Sequence, residues 1–253
     1  MNCFGIITGA NGYLAKNVMN ILDNYCEKVF LIDIKHNKDF VQKTKYEKII
    51  LDVTDELSVK SFFDSIDYNN YKKSILINMA AIDHKVSKDG PEFNWSIENS
   101  NIDNIRKSLD VTLVGTFLVS KYFCINSIQY NLISNVLNFA SDLSILISDD
   151  SVYKSLNNHK PIDYAIAKHG LLGLTKYFAV YYAKNNIRVN AISPSGVANN
   201  QSKEFVEAYE KLAPMSRMIE AHEIEGAVDF LISDKSSFIT GQNIVLDGGK
   251  SLW

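Results

Sequence analysis

Tyr164 and Lys168 stand four residues apart in PIDYAIAKHGLLGLTKYFAVYYAK, a stretch whose apolar spacing predicts one long helix. Side chains at i and i+4 share a helical face, so the phenol and the ammonium project together. A cation beside a phenol favours the phenolate and brings its pKa down from about 10 towards neutrality. A phenol tuned in this way can give a proton to a carbonyl or take one from an alcohol. The same spacing also arises when a packing ring lies beside a solvated amine, so the pair is judged by what surrounds it.

The elements that must position the pair alternate along the whole chain. CFGIIT (3–8), KVFLID (28–33), EKIILDV (47–53), SILINMA (74–80), NVLNFAS (135–141), IRVNAIS (187–193) and NIVLD (243–247) read as strands. Their near-continuous apolar character predicts strands covered on both faces, as in parallel sheets. Helices are predicted between them at about 12–24, 55–66, 101–127, 162–184 and 220–233. In the third of these, Val111, Val114, Leu118, Tyr122 and Ile125 recur at three- and four-residue spacing and predict a core-facing stripe. The βαβα rhythm predicts an α/β fold, a Rossmann-type doubly wound parallel sheet of about seven strands with helices on both faces, forming a single domain over 1–253. Segments 82–100, 142–161 and 194–212 are longer than simple connections. They follow strand C-terminal ends, where open α/β sheets bind ligands, and are candidate substrate loops.

The first predicted strand runs into Thr8-Gly9-Ala10-Asn11-Gly12-Tyr13-Leu14-Ala15. Gly9 and Gly12 let the backbone turn tightly and approach a pyrophosphate, whose charge a helix N-terminus stabilises. Ala15 stands where the usual fingerprint has its third glycine, and is the smallest available substitute there. Asp33 closes the second strand, where an acid accepts hydrogen bonds from ribose hydroxyls and repels a 2′-phosphate; this favours NAD(H) over NADP(H). Lys35, His36 and Lys38 nearby soften that repulsion. Asp52, Asn78, Ser141 and Ser193-Pro194-Ser195-Gly196 also fall at strand ends. Turn chemistry explains each singly, but does not require all of them on one edge of one sheet.

These pieces resemble, in order, the short-chain dehydrogenase/reductase family over residues 6–249: TGANGYLA (8–15), Asp33, LDV (51–53), NMAA (78–81), NFAS (138–141), YAIAK (164–168), RVNAISPSG (188–196) and TGQNIVLDGG (240–249). The resemblance implies an enzyme with Tyr164 as acid/base, Lys168 binding the nicotinamide ribose and depressing the Tyr pKa, and Ser141 hydrogen-bonding the substrate oxygen. It implies cofactor contacts from Gly9, Asn11, Gly12, Tyr13, Leu14, Asp33 and Ile34. Asp52 and Val53 would meet the adenine, Asn78, Ala80 and Ala81 would line the cofactor, and Pro194, Gly196 and Val197 would flank the nicotinamide amide. It further implies a homotetramer or homodimer pairing the helices at 101–127 and 162–184. A subgroup resemblance, to oxidoreductases of bacterial surface-sugar and flagellin-glycosylation pathways, implies an activated or acidic sugar as substrate. His84, Lys85 and Lys88, with His159 and Lys160, are then candidate partners for its phosphate or carboxylate.

Three departures stand out. Ala81 replaces a family glycine, the interval between Ser141 and Tyr164 carries an insertion, and Thr112 stands where the family has an active-site Asn. A Thr hydroxyl donates and accepts but lacks an amide. Asp110 lies on another helical face and does not substitute. A non-catalytic dinucleotide sensor of the same fold, and a reductase of another small carbonyl such as an acyl-carrier substrate, are the alternatives.

Bulk properties set the outer limits. The chain has 253 residues, 46% hydrophobic and 22% charged, with a formal charge of −3. Such a balance gives no general attraction to nucleic acid or anionic membrane. Apolar runs fall short of the ~20 residues of a membrane span, and the N-terminus enters a strand at once, without a signal-peptide pattern. Cys3, Cys26 and Cys124 show no metal-binding spacing, and reduced thiols in a cytoplasmic protein are expected.

Overall fold

The computed structural model describes residues 2–36, 43–83, 96–153 and 159–253. Seven parallel strands form one sheet in the order β3-β2-β1-β4-β5-β6-β7. They are β1 (Cys3–Thr8), β2 (Lys28–Asp33), β3 (Tyr46–Ile50), β4 (Lys73–Asn78), β5 (Ile133–Phe139), β6 (Ile187–Pro194) and β7 (Asn243–Leu246). The order reverses direction between β1 and β4, where their C-terminal ends open a crevice.

Alternation along the strands explains the two-sided cover. Phe4 and Ile6 of β1, Phe30 and Ile32 of β2 and Leu76 of β4 enter one core with Phe63 and Phe123. Their neighbours Ile7, Val29, Leu31, Ile75 and Ile77 enter the other, with Leu22 and Val228. Successive side chains point to opposite faces, so both faces must be apolar and both must be covered. The helices are α1 (Ala15–Leu22), α2 (Glu56–Asp64), α3 (Ile102–Leu109), α4 (Gly115–Gln129), α5 (Ile162–Tyr182), α6 (Lys203–Glu210) and α7 (Glu225–Ile232); all but α3, which packs on α5, and α6, which packs on a third cluster, supply this cover. This is the Rossmann-type α/β fold.

Three details depart from the sequence expectations. The third strand stops at Ile50, because Asp52 instead takes the Thr54 N–H and hydroxyl and starts a turn. Helix 101–127 contains a π turn over Asp110–Val114 joining α3 to α4, and its core stripe is displaced. Leu118 is buried, but Val114 and Ile125 are each 43% exposed. Small polar residues take the inward positions instead: the Ser120 hydroxyl accepts from Asn78 Nδ2, and Ser127 meets Ser74. Segment 194–212 is not all loop, since Lys203–Glu210 forms α6, whose Phe205, Val206 and Tyr209 pack on Val152, Tyr153 and Met218. The continuous helix Ile102–Gln129 is long and apolar enough by composition to cross a membrane, but 56% of its most apolar window is buried within the protein.

Candidate active site

The end of β1 builds a cradle. Gly9 has φ +69°, and a Cβ there would lie 2.8 Å from the Ala80 backbone, so only glycine lets the turn pass this close to β4. Thr8 Oγ1 accepts from the N–H groups of Met79 and Ala80 at 3.1 and 3.2 Å, pinning the two strand ends together. Gly12 N–H donates to the Gly9 carbonyl at 2.9 Å, and α1 follows with no side-chain cap on its N-terminus. First-turn N–H groups that no side chain caps fit a pyrophosphate. The Asp33 carboxylate accepts the Asn11 N–H at 2.9 Å, which holds the acid beside the turn. Ile34 is exposed next to it. These residues fit a dinucleotide, with Asp33 placed for a ribose.

Other expected cofactor residues are placed differently from one another. Tyr13, Leu14, Ala81, Pro194, Gly196 and Val197 line one cleft of about 430 Å³. The Tyr13 hydroxyl donates to the Ala198 carbonyl at 2.8 Å, tying the turn to segment 194–212. Val53 is buried against Gly115, where a Cβ would come within 2.5 Å of its methyl, and Asp52 is turned to Thr54. Asn78 faces the interior, being 3% exposed and donating to Ser120 and to Asn138. Asn138 in turn donates to Thr175 of α5 at 2.8 Å, so Asn78 joins the sheet to α4 and α5 instead of reaching the cleft.

Ser141, Tyr164 and Lys168 all line the same cleft. Ser141 follows β5 and is 6% exposed; its hydroxyl accepts the Leu143 N–H at 3.2 Å and donates to Asp142 Oδ1 at 3.0 Å. Lys168, one helical turn beyond Tyr164 on α5, donates to the Phe139 carbonyl at 2.6 Å and lies 5.6 Å from the Tyr164 ring centre. Burial pushes the Lys168 ammonium down to about 8, with Asp83 opposing and Lys160 assisting that shift. Burial also raises the Tyr164 phenol well above its ordinary value; Asp83 adds to this, whereas the neighbouring Ser141 hydroxyl opposes it. The depressed phenol expected from the Tyr-Lys spacing is therefore not the state of this site. Desolvation outweighs the ammonium, which is engaged by a carbonyl.

Thr112 occupies the π turn at 1% exposure, and its hydroxyl accepts the Ile82 N–H at 3.3 Å. It thus secures the strand end after β4.

Of the proposed substrate cations, His84, Lys85 and Lys88 lie outside the described residues. Lys160 is present, 4.4 Å from the Tyr164 ring centre, and paired with Asp83. His159 pairs with Asp150 on the surface, at 3.0 Å. Sequence reasoning did not single out Asp83, Asp142, Asp149, Tyr209 or Lys250 as cleft residues. Asp142 directly follows Ser141, which was the available signal; Tyr209 and Lys250 come from remote segments.

With this geometry in hand, the comparisons are specific. A family model described as enoyl-(acyl carrier protein) reductase matches residues 27–251. The chain is 30% identical to the uncharacterized oxidoreductase YxbG of Bacillus subtilis, over 98% of this chain and 90% of that one. It is 26% identical to Post-translational flagellin modification protein A of Campylobacter coli, over 97% of each. It is also 26% identical to an NAD-dependent glycerol dehydrogenase of Listeria innocua, over 98% of this chain and 93% of that protein. Among solved structures, a short chain dehydrogenase from Leptospira borgpetersenii with bound NAD+ superposes with a TM-score of 0.82 at 29% identity, covering 100% of this chain and 94% of the other. The cradle, the cleft and these likenesses converge: the chain belongs to the short-chain dehydrogenase/reductase family, and is an oxidoreductase that uses a nicotinamide dinucleotide.

Proposed function

We propose that the enzyme interconverts a hydroxyl and a carbonyl on a sugar or polyol, with NAD(H) preferred over NADP(H). The observation that carries this reading is the meeting of Ser141, Tyr164 and Lys168 in one cleft that runs on to the Gly9 turn. When bound, the dinucleotide supplies or accepts the hydride. In reduction the Tyr164 phenol gives its proton to the carbonyl oxygen as the hydride arrives, and in oxidation its phenolate takes the hydroxyl proton. Ser141 holds the oxygen on which charge develops by turning to it the proton it otherwise gives to Asp142. Lys168 balances the phenolate formed on its own helical face. Asp33 beside the glycine turn supports the preference for the cofactor without a 2′-phosphate.

The lining of the cleft favours hydroxyl groups as the recognised chemistry. Asp83, Asp142 and Asp149 are interspersed with Lys160, Lys168 and Lys250. Lys160 and Lys250 each already face a carboxylate, so alternating donors and acceptors meet the substrate, with no excess of positive charge among the described residues. The likeness to a glycerol dehydrogenase and to a flagellin modification protein supports a polyhydroxylated substrate and a place in surface-glycan biosynthesis. A homo-oligomer is part of the same proposal. Phe117 of α4 and Gly170, Gly173 and Tyr177 of α5 line an apolar groove, and Val180 farther along α5 is 81% exposed. A second copy of the chain is the occupant that such a two-helix face fits.

The test follows NADH absorbance across a panel of polyols, aldoses, sugar acids and nucleotide sugars, with NADP(H) in parallel. Turnover of a polyhydroxylated member with NAD(H) is expected. Turnover confined to acyl thioesters would overturn the proposal.

A further inference from the structure

Asp142 is more deeply embedded than its neighbour Ser141 requires. One carboxylate oxygen accepts the Ser141 hydroxyl at 3.0 Å. The other accepts Lys250 Nζ at 2.9 Å and the Tyr209 hydroxyl at 3.1 Å. The ion pair is almost sealed, with side-chain exposures of 9% for Lys250 and 5% for Asp142. Tyr209 lies on α6 and Lys250 opens the C-terminal 3-10 turn Lys250–Leu252, so two remote segments converge on one carboxylate.

Tyr209 is itself located from several sides. Its proton goes to Asp142, so Ser195 donates to its oxygen, as does the Gly196 N–H at 2.6 Å. A Cβ on Gly196 would lie 2.7 Å from the Tyr209 ring, so glycine is what lets the ring seat there. The C-terminal turn is anchored on the same segment. The Met215 N–H donates to the Gly248 carbonyl at 3.1 Å, and the Trp253 ring N–H donates to the Leu212 carbonyl at 2.8 Å. A buried charge with all its partners supplied is costly to assemble and strongly directional once assembled.

We infer that Asp142 is a positioning residue: held by Lys250 and Tyr209, it sets where the Ser141 oxygen sits before the hydroxyl proton turns from Asp142 to the substrate, and thereby ties the seating of α6 over the cleft to the competence of Ser141. The inference rests on the reading of Ser141 as the group that holds the substrate oxygen. Seating of α6 brings Tyr209 to Asp142, and Asp142 then holds the Ser141 oxygen at the distance where it also takes the Leu143 N–H. With α6 displaced, Asp142 loses one donor and Ser141 loses its fixed acceptor.

Two backbone amides report the two halves of this linkage: Leu143, which donates to Ser141, and Gly196, which donates to Tyr209. Lys250→Met, Lys250→Arg and Tyr209→Phe are compared with the unaltered enzyme by amide hydrogen exchange in the presence of NADH. In Lys250→Met, exchange at Leu143, at Gly196 and across 203–212 is expected to rise together by about tenfold or more, with NADH affinity held within about threefold. Lys250→Arg restores protection. Tyr209→Phe, which removes only a hydroxyl, raises exchange at Leu143 as well as at Gly196, and decides the matter if Lys250→Met does not fold. On whichever substrate the panel identifies, Lys250→Met lowers kcat about tenfold with little change in KM, because positioning is lost from the transition state and not from uniform binding. Exchange that rises at the C-terminal turn while Leu143 stays protected would overturn the inference, as would failure of Arg to restore protection. A panel without turnover in the unaltered enzyme counts against the assigned reaction alone, since the exchange result stands without a substrate.

Discussion

Lys168→Met is expected to make the protein more stable at neutral pH while removing its activity. The Lys168 side chain is sealed at 5% exposure, and burial lowers its ammonium from 10.5 to about 8. That lowering corresponds to roughly 3 kcal/mol of destabilisation while the group is charged in both states. Against this, the substitution leaves the Phe139 carbonyl without its donor at 2.6 Å, a loss of about 1–3 kcal/mol. It also removes a cation 5.6 Å from the Tyr164 ring, at about 0.5 kcal/mol. The balance is a gain near 1 kcal/mol, or about 2–4 °C in Tm for a chain of this size. The pH dependence fixes the cause. Below about 8 the lysine is protonated both folded and unfolded, so the full penalty applies. As pH rises towards 10.5 the folded form loses the proton first, the unfolded chain keeps it, and the penalty fades. The advantage of Lys168→Met should thus be present at pH 7 and gone near pH 10, as measured by thermal melts of both proteins in matched buffers. A variant that melts lower at pH 7, or an advantage that does not change with pH, would refute the reasoning.

Other perturbations address separate parts of the account. Asp33→Ala removes the carboxylate that accepts the Asn11 N–H, and should weaken NADH binding about tenfold while improving NADPH binding, read by fluorescence titration of both. Native protein should react slowly with a thiol reagent and unfolded protein at three thiols, because all three cysteines are buried and burial pushes the Cys124 thiol up; fast native labelling would contradict that packing. Val180→Glu, at a position 81% exposed on α5, should lower the molar mass of the proposed homo-oligomer, read by light scattering, without changing Tm by more than a few degrees.

Much of the scaffold can be read locally. The strands β1, β2, β4, β5 and β6 send apolar side chains to both sheet faces because both faces are covered, and that signal survives without knowledge of the partners. The glycine turn is equally local, since a left-handed φ at Gly9 and a close Ala80 leave no other residue type. Helix α6 was hidden because Lys203, Glu204 and Glu207 are exposed and only a narrow apolar edge packs on Val152. Along α4 and the π turn before it the periodicity misled, because hydrogen-bonded Ser120 and Ser127 fill inward positions while Val114 and Ile125 are left partly exposed. The convergence of Asp142 with Tyr209 and Lys250 spans 67 and 108 residues of sequence, and no spacing rule reaches that far. The raised Tyr164 phenol had the same origin: the neighbouring ammonium is visible in the sequence, but the burial and the Asp83 carboxylate that outweigh it are not.

Hydride transfer by Tyr164→Phe, followed in a single turnover with the substrate that the panel identifies, tests the assignment of the proton-transfer group. The phenylalanine ring fills the same space beside Lys160 and Lys168, so NADH affinity should stay within about threefold while the transfer rate falls by about 100-fold or more. Hydride transfer at the unaltered rate would mean that another group moves the proton.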